Sequence, residues 1–412
     1  MKRILHYLAF IIVLLCLSAQ AETVSDNFVQ EADIERVEIF MPENSENEAD
    51  VVEEFGNDAP QPVTLSDENE VKSLRDKSKD VYNIEVEKYD RPDYLFKEIL
   101  THNCKKSSVM ENWHIWGAYN AYSDMNFGSD STFSDKYVSN ALNVGFDGFL
   151  KNNNSDFRIM MGFPIDYSGN YTQALFSDVY IATNKIPHHR IQIGHFRPQV
   201  GMNGGSSAYT IPFLRRSQIG RTFGTARRLG GRIKGDYSYL DYDFGVYSSG
   251  TYFTDFFPGT EFVGCMNFKP LAKVEDKYGK LKLGGGIDGG KRDNDFFVTG
   301  AYVGYEYKRF MAEFEWANAN GYNGAAGHSR KHATGFYTTI GYMLTKKLQL
   351  VACYDQFDPD KNIDNNNKRE MTLGLNYFIK GQALRLILNY VFCQNDNTKD
   401  SHRIMLGAQI LI

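Results

Sequence analysis

The sequence predicts an all-β protein, a transmembrane antiparallel barrel of about 16 strands behind a disordered acidic segment. Three observations lead there. Beyond the first 20 residues no apolar run reaches the ~20 needed for a membrane-spanning helix. From Trp113 onward the apolar residues recur with period two, in segments of about ten residues. The connections between those segments fall into two classes, tight polar turns and long polar loops, which describes an outer-membrane type of barrel.

Lys2 and Arg3 precede an apolar stretch from Leu8 to Leu17, and Ser18-Ala19-Gln20-Ala21 fits a small-residue cleavage site. Residues 1–21 are therefore expected to be a secretory signal peptide. Leu15 before Cys16 is too large for a lipoprotein signal. Cys104, Cys265, Cys353 and Cys393 are too sparse for a disulfide framework and lack the C-x-x-C spacing of a zinc site.

The formal charge of −6 hides two opposite parts. Residues 22–90 hold 21 Asp and Glu against six Lys and Arg, whereas residues 91–412 carry a net +7. The acidic stretch has few large apolar residues and cannot bury enough surface to offset its ordering entropy. The expected organisation is an acidic flexible periplasmic segment over 22–110 and a barrel over 111–412.

Within the barrel, Met371, Leu373, Leu375 and Tyr377 share one face, with Thr372, Gly374 and Asn376 on the other. Arg385 and Asn389 oppose the apolar face of Leu384–Tyr390, and Met311, Glu313 and Glu315 oppose Phe310, Ala312, Phe314 and Trp316. The strands are expected near 113–122, 139–150, 156–162, 176–183, 189–197, 228–238, 239–249 and 261–268. The second half follows at 279–289, 295–307, 309–317, 333–344, 347–356, 368–379, 383–394 and 402–412. A barrel of this size leaves an aqueous lumen. Trp113, Trp116, Tyr119, Tyr302, Tyr305 and Tyr307 are expected in interfacial girdles, which would explain an excess of 26 Tyr and 29 Phe.

The chemistry concentrates in Thr210–Lys234, which contains Arg215, Arg216, Arg221, Arg227, Arg228, Arg232 and Lys234 and no acid. Guanidinium groups stay charged at any working pH and match phosphate and carboxylate geometry. Lining a pore, they lower the barrier to anion entry. Arg215, Arg216, Arg221, Arg227 and Arg228 are the candidate anion-binding residues. The competing reading pairs them with lipopolysaccharide phosphates or with acids elsewhere in the barrel.

Other patterns do not hold. The glycines at 284, 286 and 289 match G-x-G-x-x-G, but no helix follows to receive a phosphate. Asp358, Asp360, Asn362 and Asp364 have calcium-loop spacing, yet Ile363 and Arg369 stand where glycine and glutamate are required. Glu313 and Glu315 are neighbours on one strand face, a poor arrangement for paired acid–base catalysis. No G-x-S-x-G occurs. No enzyme, cofactor, metal or nucleic-acid partner is expected.

At Arg190–Gly201, RIQIGHFRPQVG, the chain resembles the phosphate-selective porin O and P family. Arg216-Ser217, Arg228-Leu229-Gly230 and the closing Leu386–Ile412 hairpin with Gly407-Ala408-Gln409 stand in the corresponding order. The resemblance implies a 16-stranded trimeric outer-membrane porin passing anions, with phosphate or polyphosphate as substrates. Arg215 stands where members often carry an acid, and Ile412 where barrels often end on an aromatic residue. None of the family's phosphate-binding residues is carried over.

The expected function is passive diffusion of small anions through a basic lumen, in contact with outer-membrane lipid and lipopolysaccharide. Two alternatives stand beside it: a secreted soluble all-β glycan binder, and a barrel serving as adhesin or structural anchor. Heat-modifiable migration on a gel separates the barrels from the glycan binder.

Overall fold

The computed structural model describes residues 94–97, 99–128, 133–151, 155–163, 176–224, 226–250 and 257–412. The signal peptide read at 1–21 and the acidic stretch 22–90 lie outside them.

A short strand β1 (Thr101–Asn103) leads into β2 (Met110–Gly128), β3 (Phe133–Leu150), β4 (Ser155–Gly162) and β5 (Phe176–Thr183). Next come β6 (His189–Phe196), β7 (Arg228–Asp236), β8 (Leu240–Ser248) and β9 (Thr260–Phe268). The second half runs β10 (Lys280–Lys291), β11 (Asp295–Tyr307), β12 (Phe310–Asn320) and β13 (His332–Met343). It ends with β14 (Leu348–Asp358), β15 (Lys368–Lys380), β16 (Leu384–Asn395) and β17 (Ser401–Leu411). Each strand from β2 to β17 pairs antiparallel with the next, and β17 returns to β2, from Ser401 opposite Gly128 to Leu411 opposite Ala118. Sixteen of the described strands thus close into a barrel, with β1 as a flap on β2. Closure leaves no unpaired edge, as a sheet surrounded by hydrocarbon requires.

Alternation sorts the side chains. Ile181, Ile193, Val246, Phe314, Trp316, Leu373 and Leu406 are exposed on the outer wall, an apolar band suited to lipid. The opposite positions are polar and buried: Asn143, Asp156, Asn376, Arg385, Asn389 and Gln409 are all fully covered. Trp116 and Tyr302 belong to this inner set, which corrects their placement in the girdle. They occupy even positions of strands whose odd positions face outward, so parity decides against aromatic preference.

Most connections at one end, such as 184–188, 308–309 and 381–383, have two to five residues. The exception is 269–279, which contains the helical turn α2 (Glu275–Tyr278). At the opposite end five of the eight connections run to nine residues or more, and 197–227 is the longest of all. At the short-turn end Leu95 N donates to the Leu411 carbonyl at 2.9 Å, and the Tyr94 ring meets His114 edge-on at 5.1 Å. Tyr94 and Leu95 thereby pack on a core of Trp116, Ala118, Met160, Tyr209, Ala383 and Leu411.

The outer band gives a direct test. Leu373 sits mid-strand on the lipid side, so Leu373→Arg should lower barrel stability in vesicles by about 2–4 kcal/mol. Ile363→Arg, in the connection after β14 and 54% exposed, should change it by less than about 0.5 kcal/mol. Denaturant unfolding in vesicles reads both.

Candidate functional site: a strap across the lumen

The connection 197–227 between β6 and β7 folds into the barrel rather than away from it. Its sequence explains why. Ile211, Leu214, Ile219 and Phe223 are apolar and buried, so they need a partner surface, and the inner wall provides sockets. A Cβ at Gly407 would stand 2.5 Å from Leu214 Cδ2, and one at Gly335 would stand 2.6 Å from Ile219 Cγ2. In β6, just before the strap, Gly194 has a φ of +141° and a would-be Cβ 2.2 Å from the Val179 carbonyl of β5, which exclude other residues.

Polar groups of the wall then satisfy the strap's backbone. Glu315 Oε1 and Oε2 accept from Met202 N at 2.8 Å and Asn203 N at 3.0 Å. Asn389 Oδ1 accepts from Leu214 N at 2.9 Å, and Asn376 Nδ2 donates to the Pro212 carbonyl at 2.9 Å. Gln409 Nε2 donates to the Tyr209 carbonyl at 3.0 Å, while Asn143 Nδ2 donates to Tyr209 Oη at 2.8 Å. The strap ends in a short helix α1 (Gln218–Phe223), capped by Ser217 Oγ accepting from Gly220 N. Asp355 Oδ2 of β14 accepts from Gln218 N at 2.6 Å, so the wall supplies a further cap. Apart from the bond to the Tyr209 hydroxyl, each contact satisfies a backbone group that would otherwise be stranded in a buried setting.

The five candidate arginines all lie on this strap or at its exit, and they separate into two groups. Arg221 of α1 pairs with Glu370 of β15 at 2.7 Å and donates to the Arg216 carbonyl at 2.8 Å. Arg216 donates to the Ser206 carbonyl. Arg215 interacts electrostatically with Glu370 and with Arg403, which itself pairs with Asp124. Arg227 and Arg228 stand at the exit, where Arg227 pairs with Asp178 of β5 at 2.7 Å and Arg228 with Glu261 of β9 at 2.7 Å. Both are nearly fully buried.

The second group continues into a series of wall pairs that sequence reading did not anticipate. Arg158 forks onto Asp147, its register partner across β3 and β4, with two bonds of 2.7 Å. Arg190 forks onto Asp156 in the same way. Arg232 bonds Gln192, its partner across β6 and β7, and reaches Asp243 at 3.2 Å, which Lys234 also approaches at 3.4 Å. Inward parity was available as a signal for these residues; their partners sit on other strands, adjacent or one strand removed, and could not be read locally. The same holds for Glu315, Asp355 and Glu370, whose alternation marks them as inward while only the fold brings the strap to them.

The arrangement is a barrel whose lumen is crossed by an arginine-bearing strap, docked on β12–β17 and β3, with paired charges along β3–β9. The described residues contain no cluster of His, Cys, Asp and Glu able to hold a metal.

Comparison with known proteins fits this architecture. No curated protein matches the chain in sequence. An anion-selective porin from Comamonas acidovorans superposes with a TM-score of 0.54 at 9% identity, covering 73% of this chain and 99% of that one. Salmonella typhi OmpF, solved in complex with daunomycin, superposes with a TM-score of 0.53 at 11% identity, covering 73% and 98%. At these identities the likeness is one of fold, that of a porin-type barrel. Sequence adds what superposition cannot, because residues 145–410 match the family described as phosphate-selective porin O and P, and that span runs from β3 to the last turn of β17. The chain belongs to that porin family.

Proposed function

We propose that the chain is a passive outer-membrane channel for small anions, phosphate among them, working as a homotrimer in lipid and lipopolysaccharide after removal of the signal peptide. The observation that carries this reading is the strap. Arg215, Arg216 and Arg221 lie on this segment, and the stretch from Thr210 to Lys234, strap and start of β7 together, contains no acid, which supports the reading. A permeating solute must pass beside the strap. Guanidinium groups at a constriction lower the entry barrier for anions and raise it for cations. The anion-selective porin of similar fold and the family's description point the same way.

The wall carboxylates temper that preference. Glu370 beside Arg221 and Asp124 beside Arg403 cancel part of the positive potential at distance, so weak rather than absolute selectivity is expected. Arg227 and Arg228 act chiefly as struts. Loss of one partner from such a buried pair leaves an uncompensated charge and costs about 3–5 kcal/mol.

Planar-bilayer recording of the refolded chain under a KCl gradient tests the reading. Discrete steps with a chloride-favouring reversal potential are expected, with phosphate reducing the chloride current. Arg221→Gln should move the reversal potential towards cations, because Glu370 then keeps its charge without its partner. Cation-selective wild-type steps would refute the anion reading while leaving the channel, and a folded barrel without steps would refute the channel.

The strap's role has a separate test. Gly407→Val drives a side chain into the space of Leu214 and should displace the strap. The single-channel conductance should rise and the selectivity fall. Unchanged conductance in an intact barrel would show that the strap does not set the narrowest passage.

A further inference from the structure

The outer wall carries a groove that its own side chains leave unfilled. It lies on strands β8–β12 and is an open depression of about 490 Å³. Gly285 and Ala301, register partners across β10 and β11, form the floor, and Leu240, Phe268, Leu283 and Phe314 rise around it. A Cβ built on Gly285 meets only the backbone of Gly300 and Ala301, so no neighbouring side chain covers the floor. Leu240 opens β8, Phe268 closes β9 and Leu283 follows the start of β10. The groove therefore runs out at the short-turn end.

At its mouth sits connection 269–279, the long exception among the short turns. It projects Val274 and Tyr278, 44% and 50% exposed, beside Lys273 and Lys277. Lys273 Nζ lies 5.2 Å from the centre of the Tyr239 ring, and Lys277 Nζ lies 4.9 Å from that of Tyr278. Tyr305 Oη donates to the Tyr278 carbonyl at 2.8 Å and ties the connection to the outward face of β11. On the adjoining turn Lys308 Nζ stands 4.9 Å over Tyr307. The acids of this connection are Glu275 and Asp276, and Lys269 is occupied by Asp236 and Asp241.

An apolar groove, an aromatic belt and ammonium groups held on aromatic faces thus follow one another along the wall. That is the order of chemistry along a phospholipid: acyl chain, glycerol region, phosphate. We propose that this site binds one anionic phospholipid of the leaflet at the short-turn end, with an acyl chain over Gly285 and Ala301 and the phosphate at Lys273 and Lys277. A zwitterionic headgroup carries its own cation and gains less from two lysines, so the site distinguishes headgroups by net charge. Each lysine near a membrane surface favours an anionic lipid, and two together should give about tenfold preference or more. The inference rests on the barrel standing in a membrane, as proposed above.

The test uses the full chain in nanodiscs containing equal phosphatidylglycerol and phosphatidylethanolamine, with retained lipid read by native mass spectrometry after transfer to detergent. Wild type should retain phosphatidylglycerol about tenfold over phosphatidylethanolamine. K273Q/K277Q should lose the preference, and Ala301→Leu, which fills the floor without altering charge, should lose retention of either lipid. Lys361→Gln, at the opposite end, should match wild type. Equal retention of the two lipids by wild type overturns the site, as does undiminished preference in both K273Q/K277Q and Ala301→Leu. Heat-modifiable migration of the same samples reports the barrel independently, so failure of the lipid site is distinct from failure of the membrane reading.

Discussion

The structure depends on closure of one hydrogen-bond ladder, the pairing of β17 with β2. In hydrocarbon an unpaired backbone group costs several kcal/mol, and a strand edge exposes a row of them. The sheet must therefore meet itself. Once it does, each strand's two faces become unequal solvents, lipid outside and an enclosed lumen inside. Period-two alternation is the sequence's answer, and an error of one residue in register would send Leu373 into the lumen and Asn376 into lipid.

Closure creates a second constraint within. The lumen of a barrel this wide cannot be filled by its own inward side chains. Here the strap enters it, and the wall is shaped to receive a backbone as well as side chains. Asn376, Asn389 and Gln409 lie on three successive strands and each holds a peptide group of the strap. Asparagine and glutamine suit this task because each carries both donor and acceptor, whereas a wall of charges would meet peptides with one sign only. Leu214 and Ile219 then seat over glycines, so polar and apolar contacts fix the same path.

Much of the barrel is legible from sequence because its cause is local. Alternation places β5 at 176–183 and β11 at 295–307 with the bounds observed, and it gives Glu313 and Glu315 the inner face. The longer strands β2 and β3 extend past the alternating cores, since their ends pair without a clean lipid-facing pattern. The strap is illegible for a different reason. Residues 197–227 carry apolar side chains such as Ile211, Leu214, Ile219 and Phe223 without period-two alternation, and the short helix of Gln218–Phe223 contains Gly220 and Thr222, poor helix formers. Its order comes from Asp355 and the wall, far away in sequence. The arginine cluster was visible as composition, but its division between strap and struts required knowing which acids face it.

That division bears on the anion preference proposed for this porin. An arginine forked onto a carboxylate presents little net charge at a distance, and Arg158 on Asp147 or Arg190 on Asp156 is neutralised in that sense. Such pairs serve the wall where lumen packing is polar: a guanidinium on β4 tied to β3 braces neighbouring strands, and one on β6 tied to β4 spans the intervening β5. Net field at the constriction must come from charges whose partners are offset or shared. Glu370 is such a shared partner, with Arg221 bonded to it and Arg215 and Arg403 in its field, three cations about one carboxylate. Asp124 takes part of the charge of Arg403, and Asp355 lies in the field of Glu370 and Arg221, so the charge of the group rests on the balance of three arginines against these carboxylates. On the proposed reading, selectivity follows the ratio of cations to carboxylates around the strap, and the number of arginines in the sequence overstates it.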